Sequence, residues 1–201
     1  MALIDSLIKN GWLKTPRIIE AFQKIKRADF MPEDMKNLAE VNEAFPIGYG
    51  QTISQPLTVA FILEELRPKP GQKILDIGSG SGWTTALLAQ IVGSEGKVIA
   101  IEIIPELKEF GKANVSKYNF VNVNFICADG SKGYEKEAPF DCILVSAAAE
   151  KVPQAWRKQL KIGGRIVCPI GSSIWTIIKK SESDFEEIER PGFAFVPLIS
   201  K

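Results

Sequence analysis

From Gly71 onward the chain repeats one grammar: a short, near-continuous apolar run, a break, a helical pattern, then another apolar run. KILDIG leads into WTTALLAQIVG and KVIAIE into PELKEFGKANVSKYN; VNVNFICAD, FDCILVSA and RIVCPIG follow, with helical or loop segments between them. Strands without in-out alternation must be covered on both faces, and strands separated by helical crossovers pair in parallel. The expected fold is therefore α/β, a mostly parallel central sheet flanked by helices. SSIWTIIKK, FEEIERPGF and AFVPLI instead alternate, with SESD as a turn, and predict antiparallel strands at the C-terminal end.

The first third reads as a helical extension. Leu3, Leu7 and Ile8 recur at helical spacing. Thr15 as N-cap and Pro16 at the first helical position introduce a helix carrying Ile18, Ile19, Phe22 and Ile25 on one face. GYGQTISQP, residues 48–56, is too rich in Gly, Pro and hydroxyls for a regular element and reads as an ordered loop; LTVAFILEEL then returns to helix until RPKPG breaks it. With 201 residues, 45% of them hydrophobic, the chain can bury one substantial core. One domain over 1–201 is expected, with residues 1–55 as the N-terminal part and 56–201 as the α/β core.

Charge and residue usage exclude several functions. Twenty-five basic against 24 acidic residues leave a net charge of +1, and no long single-sign block offers a nucleic-acid footprint. The N-terminus lacks a basic region followed by an apolar core, and no window approaches eighteen apolar residues; a cytoplasmic protein without membrane contact is expected. There is no histidine, so Ser-His-Asp and Cys-His mechanisms are excluded. Cys127, Cys142 and Cys168 lie far apart in apolar runs, which predicts buried free thiols and neither a disulfide framework nor a metal site.

The turn Asp76-Ile77-Gly78-Ser79-Gly80-Ser81-Gly82-Trp83 joins a strand to a helix where open α/β sheets bind ligands. A dinucleotide fingerprint needs Gly-x-Gly-x-x-Gly; here the third glycine comes one residue early, which disfavours a nicotinamide dehydrogenase. The Gly-x-Gly-x-Gly spacing resembles motif I of the S-adenosylmethionine-dependent methyltransferases, the Rossmann-like class I fold. Glu102 ends the next strand, about twenty residues on, where a carboxylate can accept from both ribose hydroxyls. Asp129 ends the third strand, placed to accept from an adenine amino group. Ile103 and Gly130, directly after those acids, complete the expected cofactor set, with Thr52 reaching it from the preceding loop.

Taken together, KRADFMP, IGYGQTISQP, LDIGSGSGW, ADGSKGY, FDCILVSAA, QLKIGGRIVCPIG and FVPLI resemble, in order, the protein-L-isoaspartate O-methyltransferase family. The resemblance implies methyl transfer from S-adenosylmethionine, leaving S-adenosylhomocysteine, to the α-carboxyl of isoaspartyl residues in damaged proteins and peptides. It also implies that Ser54 is the active-site hydroxyl, that Thr52 and Ile53 line the junction between substrate and methyl donor, and that Gly48 and Gly50 allow close backbone approach. A monomer and no metal are expected. From the residues alone, Thr52 and Ser54 serve equally as caps for the helix beginning near Pro56. Leu57, Thr58, Glu40 and Ala194 depart from the family pattern around the substrate, Ala194 standing where the family carries arginine. Two alternatives follow: a methyltransferase for another carboxylate or small substrate, or a noncatalytic module that binds cofactor and peptide.

Overall fold

The structure is a computed structural model and describes residues 2–200. Helices α1 (Leu3–Lys9) and α2 (Pro16–Lys24) precede two 3-10 turns, Arg27–Phe30 and Glu33–Leu38. Thr15 stands at the N-cap of α2 without capping it through its side chain. Its hydroxyl instead donates to Glu64 at 2.7 Å, and the same carboxylate accepts the backbone N–H of Lys14 and of Thr15. A half-buried acid from a later helix, Glu64 of Pro56–Leu66, thus takes the Thr15 hydroxyl in place of a local cap.

The run expected as a loop is largely regular. Strands β1 (Phe45–Gly48) and β2 (Gln51–Ile53) pair antiparallel as a hairpin. Tyr49 and Gly50 at its tip have φ of 56° and 70°, the mirror-image turn that matches strand twist. A Cβ on Gly48 or Gly50 would meet nothing within 4 Å, so within the chain backbone conformation rather than close approach accounts for both glycines. Helix α3 (Pro56–Leu66) follows.

The core then alternates β3 (Lys73–Ile77), α4 (Trp83–Val92), β4 (Lys97–Glu102), α5 (Pro105–Ser116), β5 (Val123–Cys127), β6 (Phe140–Val145), α6 (Gln154–Gln159), β7 (Leu160–Ile170), β8 (Ser173–Lys179) and β9 (Phe185–Pro191). These strands form one sheet in the order β5-β4-β3-β6-β7-β8-β9, parallel from β5 through β7 and antiparallel from β7 to β9. The chain runs outward from β3 through β4 to β5, then crosses to β6 on the other side of β3. That reversal opens a crevice at the strands' C-terminal ends.

Both faces are covered, as the apolar strands require. Ile74 and Leu144 face a cluster shared with α2, α3 and α4, while Leu75, Ile143 and Ile166 face a second cluster built around Phe140, Trp156 and Leu160. All of these are fully buried. Each such side chain contributes about 1.5–3 kcal/mol of transfer free energy.

Two expectations are corrected. AFVPLI is not a third antiparallel strand: residues 194–199 run as an extended tail, with Pro197 bridged in parallel to Ala148. Cys142 and Cys168 are buried, and burial pushes both thiols up to about 12. Cys127 is exposed, because β5 is an edge strand and its last residue has no neighbour beyond it.

Candidate active site

The glycine turn between β3 and α4 is held from two sides. Gly78, Gly80 and Gly82 have φ of 76°, 49° and 85°, a region unfavourable to residues with a Cβ. Behind the turn, α5 comes so close that a Cβ on Gly82 would lie 2.8 Å from the Gly111 carbonyl oxygen, and one on Gly111 would lie 2.6 Å from that of Gly80. Beside it, the Glu102 carboxylate at the end of β4 accepts the N–H of Gly80 at 2.9 Å and of Ile104 at 3.1 Å. Glu102 is 5% exposed and forms part of the wall of a cavity.

That cavity of about 730 Å³ lies at the crevice. Of the residues expected from sequence, Thr52, Ile53, Ser54, Ile77, Gly78, Ser79, Gly80, Ser81, Glu102, Ile103 and Gly130 line it. Asp76, Gly82 and Asp129 are not among its lining residues. Asp129 accepts the N–H of Ser131 at 2.9 Å, and Lys132 Nζ lies 3.6 Å from its other oxygen. It shapes the short turn holding Gly130, where a Cβ would strike Ile77 at 2.4 Å.

Asp76 is fully buried beneath the turn. Oδ2 accepts from the Thr85 hydroxyl at 2.6 Å and from Thr84 at 3.4 Å, and Oδ1 has no partner among the described residues. Burial, with a smaller repulsion from Glu102, outweighs those two hydroxyls and raises the carboxyl from 3.8 to about 6. A raised carboxyl stabilises the fold below its unfolded value and loses that contribution as pH rises through about 6. From pH 4 to pH 7 the wild type should therefore lose roughly 2–3 kcal/mol relative to Asp76→Asn. Urea titrations at half-unit pH steps check this; a constant difference would remove Asp76 as a neutral-pH burden.

Other wall residues were missed from sequence: Gln51, Trp83, Thr84, Ile104, Ala128, Ser146, Ala147 and the tail 196–199. Ser146 was within reach, since it follows β6 as directly as Ile103 follows β4. The tail was not, because only its bridge to Ala148 brings it over the crevice. Ser79 Oγ, Ser146 Oγ and Trp83 Nε1 are buried without hydrogen-bond partners among the described residues. Orphaned polar atoms beside a carboxylate in one cavity form a donor and acceptor set that a polar ligand or ordered water can satisfy.

A second, open cleft of about 1250 Å³ adjoins the first and shares Thr52, Ser54, Ser146 and Val196 with it. Leu57, Thr58, Phe193, Ala194 and Phe195 line it, and Glu43 is the charged residue in its wall. Three departures from the family pattern, Leu57, Thr58 and Ala194, thus line this cleft, whereas Glu40 lies elsewhere and accepts from the Leu3 N–H. Neither Thr52 nor Ser54 caps α3: its N-cap is Gln55, and Asn42 Oδ1 accepts the Leu57 N–H at 2.9 Å. The Ser54 hydroxyl makes no hydrogen bond among the described residues and stands where the two cavities meet.

Among the described residues there is no group of His, Cys, Asp and Glu able to hold a metal, and no helix long and apolar enough to cross a membrane.

The family model described as protein-L-isoaspartate(D-aspartate) O-methyltransferase matches residues 1–201. A protein-L-isoaspartate O-methyltransferase of Methanopyrus kandleri is 41% identical, the match covering 99% of this chain and 90% of that one. Another, from Archaeoglobus fulgidus, is 48% identical over 90% of this chain and 84% of its own. Among solved structures, a chain from Plasmodium falciparum in complex with S-adenosyl-L-homocysteine superposes with a TM-score of 0.89, covering 99% of this chain and 97% of that one, at 24% identity. A structure described as protein-L-isoaspartate O-methyltransferase superposes at 0.88 with 28% identity, over 97% of this chain and 64% of that one. With one family model spanning every residue and relatives above 40% identity matching nine-tenths of the chain or more, this chain belongs to the protein-L-isoaspartate(D-aspartate) O-methyltransferase family.

Proposed function

We infer that the protein methylates the α-carboxylate of isoaspartyl residues in proteins and peptides, with S-adenosylmethionine as donor. The observation that carries this reading is the pair of cavities meeting at Thr52 and Ser54, one walled by the glycine turn and Glu102, the other open and fit for a peptide. The cofactor, when bound, supplies an electrophilic methyl group on a sulfonium.

Each residue's part follows from its placement. Glu102 is already held by two backbone N–H groups, yet both its oxygens keep lone pairs for ribose hydroxyls. Gly78, Ser79, Gly80 and Ser81, which line the cavity, would present backbone and hydroxyls to the cofactor's amino-acid end, and Ile103 and Gly130 would flank its adenine. Asp76, Gly82 and Asp129 keep those groups in place from behind. Thr52 and Ile53 border both ligands, and the Ser54 hydroxyl donates to one oxygen of the substrate carboxylate. That carboxylate is ionised at neutral pH, so no general base is needed, consistent with a chain that has no histidine. The chain's task is alignment and exclusion of water, which can lower the barrier by several kcal/mol.

The exposed edge strand β9 carries Glu186, Glu187, Glu189 and Pro191, a composition that resists edge pairing and supports a monomer.

The deciding experiment is transfer of labelled methyl to an isoaspartyl peptide beside its aspartyl twin. Base-labile label on the isoaspartyl peptide alone is the expected result. Label on neither, with S-adenosylhomocysteine bound normally, would mean that Leu57 and Ala194 have redirected the cleft to another substrate.

A further inference from the structure

Arg27 lies far from the glycine turn in sequence and carries no role in the reading above. Its side chain is 6% exposed. Nη1 donates to the carbonyls of Ala39 at 3.2 Å and Val41 at 3.0 Å, and Nη2 to those of Glu43 at 2.7 Å and Ser54 at 3.2 Å. The guanidinium is stacked between two rings, its carbon 5.4 Å from the centroid of Phe45 and 5.4 Å from that of Trp83. Burial lowers it to about 10, with Glu40 acting in the opposite direction, so it stays charged at neutral pH.

A buried cation held mainly by backbone carbonyls and aromatic faces is an expensive way to brace a loop, since Coulombic pairing does not offset its desolvation. Its partners explain the placement. Ser54 and Glu43 belong to the wall of the open cleft, and Trp83 to the wall of the glycine-turn cavity. One planar fork therefore contacts wall residues of both cavities and holds the carbonyl of the residue whose hydroxyl lies between them. Lysine cannot reproduce this, because it lacks both the fork and the flat faces.

We propose that Arg27 is a positioning residue that sets the Ser54 hydroxyl against the methyl donor by clamping residues 39–54 to Trp83. The proposal rests on the isoaspartyl methyltransferase reading for its catalytic consequence, though not for its geometry. Arg27→Lys keeps charge and burial while removing the four-carbonyl clamp. Turnover per S-adenosylhomocysteine-binding site should fall ten- to a hundredfold, as roughly expected for a displacement of about 1 Å at a reacting centre. Cofactor affinity should stay within about threefold, and the peptide KM should change less than kcat. Amide exchange should quicken in residues 41–55 and remain slow in β3 and β6.

A wild-type kcat for Arg27→Lys would overturn the proposal, as would a loss of activity matched by an equal loss of cofactor-binding sites, which marks a merely structural role. If the wild type itself fails to label isoaspartyl peptide, the functional reading falls, and the exchange measurement still decides. Quickening confined to 41–55 would support the clamp; no change, or a uniform increase, would refute it. If Arg27→Lys does not fold, Phe45→Leu removes one stacking face and should show the same kcat and exchange pattern more weakly. Unchanged kcat and exchange there would be equally fatal.

Discussion

Replacing Ser54 with alanine should lower methyl transfer to an isoaspartyl peptide by about ten- to a hundredfold while leaving S-adenosylhomocysteine affinity within about threefold. A hydrogen bond to a charged group contributes roughly 1.5–3 kcal/mol, and each 1.36 kcal/mol is a factor of ten in rate. The hydroxyl has no partner among the described residues, so its removal leaves nothing else unpaired. It does not cap α3 either, whose first turn is served by Asn42. Stability should therefore change little, and the loss should appear in single-turnover transfer. Threonine at the same position should restore part of the rate. Undiminished turnover in Ser54→Ala would remove the hydroxyl from the reaction.

The second large effect separates two glycines that sequence alone treats alike. Gly82→Ala should destabilise the fold by roughly 2–5 kcal/mol: about 1–2 for the left-handed backbone and about 1–3 for overpacking. Its new methyl would meet the Gly111 carbonyl oxygen at 2.8 Å and Val115 at 2.9 Å, and backbone cannot step aside. Gly80→Ala meets only the flexible tip of Ile47, at 3.3 Å, so its stability cost is mainly conformational. Its damage lies in the ligand site, because Gly80 lines the glycine-turn cavity and its N–H anchors Glu102. Thermal melts should show Gly82→Ala much the weaker fold, and calorimetry on folded protein should show Gly80→Ala much the weaker binder. Equal effects on both quantities would mean that the turn acts as one unit.

Much of this arrangement was legible in the chain. Near-continuous apolar strands such as KVIAIE can only sit in a sheet covered on both faces, and glycines at a strand-to-helix turn with acids ending the next strands follow from fixed spacings along the backbone. What was misread depended on partners distant in sequence. Thr15 looked like a cap until Glu64 met it, and Cys127 looked buried until β5 proved an edge. Asp76 and Asp129 are a different case: neither lines the cavity, Asp76 accepting from the Thr85 hydroxyl and Asp129 from the Ser131 N–H.

Local pattern, then, determined the sheet, its crossovers, the glycine turn and the position of Glu102, since each is a matter of periodicity and backbone stereochemistry over a few residues. Only the tertiary structure decided that the tail 196–199 closes over the crevice, that Ser54 lies where two cavities meet, and that Arg27 grips both sides. Those are contacts between segments far apart in sequence, selected by how the packed layers meet rather than by any spacing along the chain.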